Sequence, residues 1–260
     1  MKKILPAIVI FIALYACKSG KQNASVAQKQ TWVFIMAGQS NMAGRGIVEA
    51  QDTITNERIL TINKDNQVIK AKEPIHFYEP NLKGLDCGLS FTQTLLKEVD
   101  KSVTILIIPT AVGGSSSRQW MGDSVHRNVQ LLTNFRQKIE FAKSKGVIKG
   151  ILWHQGESDA NAKAIPLYKD NLKKLFGIFR EYVGNNKLPI MIGELGSYAK
   201  TPTEWNAINE IIRQYVDADP NTYLISTNDL KHKGDFVHFN SEGQRLMGQR
   251  MAEAYLKSMK

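Results

Sequence analysis

Only two cysteines, Cys17 and Cys87, occur in 260 residues. Nothing here calls for a disulfide framework, and a chain of this length with 43% hydrophobic residues can be held together by burial alone. Cys87 then reads as a small buried hydrophobe, with no neighbouring base to make it a nucleophile. Internal repeats and low-complexity blocks are also missing, which argues for one folded domain. The formal charge is +10, yet there is no basic stripe interleaved with aromatics. Lys163, Lys169, Lys173, Lys174, Lys231 and Lys233 are scattered as on solvated helix faces, so nucleic acid is not an expected partner. Metal-ligand spacing is absent too. His154, Glu157 and Asp159 lie close in sequence but follow no pattern of the HExxH kind, and neither a metal nor another cofactor is expected.

The first long apolar run is too short for a comfortable membrane span. It follows Lys2 and Lys3, extends from Ile4 to Ala16 and ends in Leu14-Tyr15-Ala16-Cys17. This resembles a bacterial lipoprotein signal, in which the cysteine is lipidated and becomes the new N-terminus. The expectation is a signal over residues 1–16, Cys17 as lipidation site, a flexible tether over 17–30 and a folded domain over 31–260. The protein would then be exported and membrane-anchored, periplasmic or at the cell surface. Without Lys2 and Lys3 there are 32 basic residues against 24 acidic, a charge of +8.

Within the domain, five short runs are rich in β-branched and aromatic residues: residues 32–37, 103–109, 148–154, 189–195 and 222–227. Continuous β-branched and aromatic runs of this length suit strands buried on both faces of a parallel sheet. Between them lie amphipathic segments of helical period at 125–146, 164–184 and 201–216, and another at 241–259 closes the chain. Strand and helix in alternation predict a three-layer α/β/α sandwich with a five-stranded parallel sheet. Residues 47–90 lack a clean period and read as a long excursion over the carboxyl edge, where open parallel sheets bind ligands.

Four blocks follow these strands and converge on that edge. They hold Gly38-Gln39-Ser40-Asn41, Gly113-Gly114, the stretch from His154 to Asp159, and Asp235 three residues before His238. Such a set suits acyl transfer. A serine hydroxyl needs a base, histidine has the right proton affinity, and a carboxylate on its other nitrogen fixes the tautomer. Ser40, His238 and Asp235 fill those roles. The oxyanion is expected to meet the Ser40 N–H, the Gly114 N–H and the Gln155 side-chain amide. Trp120, on a glycine-rich loop, is a candidate for stacking on a sugar ring.

Ser40 is not in a GxSxG elbow, since Met42 stands where that motif has glycine. Instead "GQSNMAGRG", "GGSSSRQW", "WHQGESD" and "DFVHFNSEGQRLMGQR", in this order between Trp32 and Tyr255, resemble the sialate O-acetylesterase and acetylxylan esterase family of SGNH hydrolases. The resemblance implies a flavodoxin-like fold and metal-free removal of acetyl groups from carbohydrate hydroxyls. By position it implies Ser40 as nucleophile, His238 as base, and Gly114 and Gln155 as oxyanion donors. It leaves two acids open: Asp235, with DxxH spacing, and Glu157, which could alternatively position the base. Arg118 lies where relatives vary and is a candidate substrate contact. The competing readings are a catalytically silent carbohydrate-binding protein and an esterase or lipase for other esters on the same scaffold.

Overall fold

The computed structural model describes residue 1 and residues 30–259. Residues 2–16 of the expected signal, Cys17 and residues 18–29 of the tether lie outside the described residues.

The central strand is β1 (Gln30–Gly38), and its side chains alternate between two cores. Val33, Ile35 and Ala37 join one apolar cluster, and Trp32, Phe34 and Met36 join the other. This period of two explains why the run is apolar at every position: both faces are covered. The chain continues through the short helix α1 (Ser40–Ala43), strands β2 (Ile59–Ile62) and β3 (Val68–Lys70), and helix α2 (Gly88–Glu98). Strand β4 (Val103–Pro109) and helix α3 (Ser117–Met121) follow, then the two-residue strands β5 (Val125–His126) and β6 (Val129–Gln130) and helix α4 (Leu131–Lys143). After β7 (Val147–His154) come α5 (Ile165–Val183), β8 (Ile190–Gly193), α6 (Pro202–Ala218), β9 (Thr222–Ile225) and α7 (Ser241–Ser258).

Seven of the strands form one sheet in the order β3-β2-β4-β1-β7-β8-β9, parallel except for the antiparallel β2–β3 pair, and β5 pairs with β6 apart from it. The sheet thus has seven strands rather than five. The two additional strands come from residues 47–90, so part of that segment extends the sheet edge and does not arch over the carboxyl end. They are short: β2 has only four residues, and all three residues of β3 are exposed, so neither carries a long apolar run. An asparagine makes their turn: Asn63 Oδ1 accepts from the Asp65 and Gln67 amides, and Asn66 takes φ 59°. The segment expected to be helical from residue 125 also departs from expectation. Arg127 and Asn128, at φ 48° and 63°, close a two-residue hairpin first, and the helix begins at Leu131.

The topology places the nucleophile strand at the switch point. From β1 the chain runs to β2 and β3 at one edge, returns to β4 beside β1, then crosses to β7 on the other side. Crevices at such points receive ligands. Register sets the ends level, with Met36 opposite Pro109 and Gly38 opposite His154. Gly38 takes φ 134°, and a Cβ there would fall 2.1 Å from the His154 carbonyl oxygen. Only glycine lets β1 end against β7 and turn at once into Ser40.

Candidate active site

Ser40 opens α1, 6% exposed, and its Oγ lies 2.9 Å from His238 Nε2. His238 Nδ1 lies 2.7 Å from Asp235 Oδ2. The acid and the imidazole share one loop, and its geometry is self-made: Asp235 Oδ1 accepts from the Val237 amide at 3.0 Å and the His238 amide at 2.8 Å. Partial burial pushes the Asp235 carboxyl up, but those two amides and the His238 ring outweigh it and hold the pKa at about 2. Asp235 is therefore an ionised acceptor at neutral pH. His238 presents Nδ1–H to it and leaves the Nε2 lone pair for the Ser40 hydroxyl, which donates.

Glu157 stands elsewhere. Its Oε1 accepts from Asn41 Nδ2 at 2.6 Å and lies 3.7 Å from His154 Nδ1. His154 is fully buried, with Nε2 2.9 Å from the Glu194 carbonyl oxygen. Burial lowers its proton affinity, against the opposing pull of Glu157.

Gly114 is exposed at the rim with φ 76°, and neither its amide nor that of Ser40 has a protein acceptor among the described residues. An ion cluster that the sequence did not reveal, buried at Arg45 and Glu79 and exposed at Arg127, fixes this loop. The Glu79 carboxylate accepts from the Gly113 amide at 2.7 Å and from Arg45 at 2.8 Å, and it also pairs with Arg127. Burial pushes the Glu79 carboxyl up, but the Arg45 hydrogen bond and charge hold it below the usual range.

Two expected contacts need correction. The Gln155 side chain is fully buried, and its Nε2 faces Asp159 Oδ2 at 2.5 Å, Gln39 Oε1 at 3.2 Å and the Ser115 carbonyl oxygen at 3.3 Å. Three inward acceptors compete for two amide hydrogens, so none is left for an oxyanion. Trp120 is likewise fully buried, edge-on to Trp153 and Phe135, with Nε1 donating to Ser115 Oγ at 2.8 Å. It is a core residue because 116–121 forms a capped helix: Ser116 and Gln119 cap each other and turn the tryptophan inward. Arg118, on the same helix, is exposed.

Gln39 emerges in place of Gln155. Its Oε1 is anchored by Gln155 Nε2 and by the Ser158 and Gly156 amides at 3.2 and 3.4 Å. The three hydrogen bonds of this side chain among the described residues all run to Oε1, which leaves Nε2, on the residue preceding Ser40, to donate elsewhere. The GQS stretch drew attention to this turn, but only the partners of Oε1 show which end of the amide is free. Asp159 takes Ser117 N and Oγ, both at 2.8 Å, beside Gln155. Among the described residues no group of three His, Cys, Asp or Glu side chains could hold a metal ion.

Comparison with known proteins adds independent findings. The model of the family described as carbohydrate esterase, sialic acid-specific acetylesterase, matches residues 30–257. A curated probable carbohydrate esterase of Arabidopsis thaliana is 27% identical over 248 residues, covering 87% of this chain and 90% of its own. The solved structure of an Arabidopsis thaliana protein of the same locus superposes with a TM-score of 0.76 at 26% identity, covering 88% of this chain and 99% of that one. At the level of fold alone, NanS superposes with a TM-score of 0.73 at 16% identity, covering 90% of this chain and 99% of its own. A carbohydrate acetylesterase from Xanthomonas citri gives 0.65 at 18%, covering 85% of this chain and 55% of that one.

Proposed function

The chain belongs to the sialic acid-specific acetylesterase family of carbohydrate esterases, and we propose that it removes acetyl groups from sugar hydroxyls through an acyl-enzyme on Ser40. Ser40 Oγ attacks the acetyl carbonyl carbon as His238 Nε2 takes its proton, and Asp235 stabilises the resulting imidazolium. The negative oxygen of the tetrahedral intermediate meets the Ser40 and Gly114 N–H groups and, in our reading, Gln39 Nε2. His238 then returns the proton to the departing sugar oxygen. Water, deprotonated by the same imidazole, then attacks the acyl carbon, and the bond to Ser40 Oγ breaks as His238 returns the proton to that oxygen and acetate leaves. The reading is carried by the continuous hydrogen-bonded line from Ser40 Oγ through His238 to Asp235, at 2.9 and 2.7 Å.

Acetylated sialic acid, xylan and other acetylated glycans are the substrate class. Acetate release from p-nitrophenyl acetate and from acetylated glycans by residues 18–260 tests the mechanism. Ser40→Ala should be inactive, and Asp235→Asn should lower kcat by ~10⁴-fold, as loss of the correct tautomer does elsewhere. A wild-type protein inert on every acetylated sugar would defeat the proposal, and preference for long acyl chains would favour a lipase.

We further propose an exported protein, lipid-anchored at Cys17 on the periplasmic or outer surface. The support is sequence alone: Lys2-Lys3, the apolar run after them, and Leu14-Tyr15-Ala16-Cys17. Cys17→Ala should release the full chain from membranes into the soluble fraction; persistent association would mean that something other than lipid holds it.

A further inference from the structure

Asn41, the residue after the nucleophile, is fully buried, and its side chain touches the chain on both sides of His238. Its Oδ1 accepts from the Phe239 amide at 3.0 Å, and its Nδ2 donates to the Val237 carbonyl oxygen at 3.1 Å. The second Nδ2 hydrogen goes to Glu157 Oε1 at 2.6 Å. One amide thus clamps residues 237 and 239 to α1, and with them the imidazole between.

The clamp works only in one orientation. A flipped amide would set oxygen against the Val237 carbonyl and NH₂ against the Phe239 amide. A carboxylate is acceptor-only, so Glu157 admits only the NH₂ end. The loop also needs holding: Phe236, next to Val237, takes φ 61°, a left-handed conformation that aromatic side chains rarely adopt and that persists only when the surroundings impose it.

We propose that Glu157 is a positioning residue for His238, acting through Asn41, and is not the triad acid. The inference rests on the Ser40–His238–Asp235 reading and assigns a role that line of contacts does not use. Glu157 lines up the base by fixing the Asn41 amide, and Asn41 transmits that by gripping the backbone on either side of the imidazole.

The test compares kcat and KM for p-nitrophenyl acetate, with melting temperatures, in Glu157→Gln, Glu157→Ala, Asn41→Ala, the double alanine variant, Asp235→Asn and Ser40→Ala. A glutamine carbonyl can still accept from Asn41, so Glu157→Gln should recover the rate lost in Glu157→Ala to within roughly threefold of wild type. Glu157→Ala and Asn41→Ala should each lower kcat about 10- to 100-fold, with KM within about twofold, since a misaligned base costs rate rather than substrate binding. The double variant should fall little below the worse single one, because the two residues act as a unit.

A Glu157→Gln loss as deep as that of Asp235→Asn would make Glu157 the acid and overturn the proposal. A Glu157→Ala rate equal to wild type, or fully additive losses, would overturn it as well. If Asn41→Ala fails to fold, the two Glu157 variants decide alone. An active Ser40→Ala would bring down the serine mechanism itself, whereas an inactive Ser40→Ala beside unaffected Glu157 variants would remove only this inference.

Discussion

Changing Gln39 to glutamate keeps the acceptor that this side chain offers the fold and removes the donor that it offers the reaction. Its Oε1 holds the Ser158 and Gly156 amides at 3.2 and 3.4 Å and the Gln155 amide at 3.2 Å. A carboxylate keeps an acceptor for all three. It cannot donate, however, and it brings a negative charge to the place where the transition state develops one. Losing a side-chain oxyanion donor costs ~10²–10³-fold in kcat, about 2.7–4 kcal/mol. A like charge about 4 Å away adds up to about 4 kcal/mol at an effective dielectric of about 20. Gln39→Glu should therefore lose at least ~10³-fold in kcat, and burial of its charge near Asp159 should lower its melting temperature as well. Gln39→Ala should lose ~10²–10³-fold and also leave the two backbone amides without their acceptor. At about 1–2 kcal/mol for such long bonds, that corresponds to a fall of roughly 2–8 °C in a chain of this size. The assay is acetate release at saturating p-nitrophenyl acetate, paired with a thermal melt of each variant. A Gln39→Glu protein within threefold of the wild-type rate would refute the reasoning, leaving a hole of two backbone donors.

Trp120→Phe should lower stability by about 1–3 kcal/mol, through the lost hydrogen bond to Ser115 Oγ and the smaller ring, with KM for acetylated sugars unchanged. A rise in KM of tenfold or more would restore it as a sugar platform. The pH dependence follows from Asp235. Its folded pKa is depressed to about 2, so the stability it contributes is complete above the ordinary aspartate range, about pH 4, and is lost as pH falls through 2. Activity lost between pH 8 and 5 should therefore leave the Asp235 carboxylate ionised, which infrared or NMR titration of that carboxyl would check.

The sheet was readable from sequence where the chemistry is unambiguous. Runs such as Val103–Pro109 and Ile148–His154 are dominated by apolar residues on both faces because helices cover both, a pattern that suits a buried parallel strand. Once those strands are set, Ser40, Gly114, His154 and neighbours fall at one edge by register alone. The two strands beyond β4 carry no such mark: edge strand β3 is exposed throughout, and β2 has only four residues and a register of two residue pairs with β4. The hairpin before α4 was hidden because its turn uses Arg127 and Asn128 rather than an Asn-Gly pair. Side-chain direction was less legible still. Whether Gln155 or Gln39 has a free amide depends on where Asp159 and Ser115 stand, and Ser115 lies 40 residues from Gln155. Glu79, which fixes the Gly113 loop, meets Arg45 and Gly113 across 34 residues on either side.

Asp235 and His238 come from the same four-residue stretch, which ties its own backbone to the carboxylate. The dyad is thus a cassette with a single joint to the rest of the machine, at the Ser40 hydroxyl and the Asn41 beside it. Loops between residues 50 and 230 that touch neither Glu157 nor the Gly113–Gly114 turn can drift, lengthen or be exchanged around the sugar without disturbing the proton relay, provided that joint keeps its reach. New substrates are accessible to this scaffold by remodelling the rim alone.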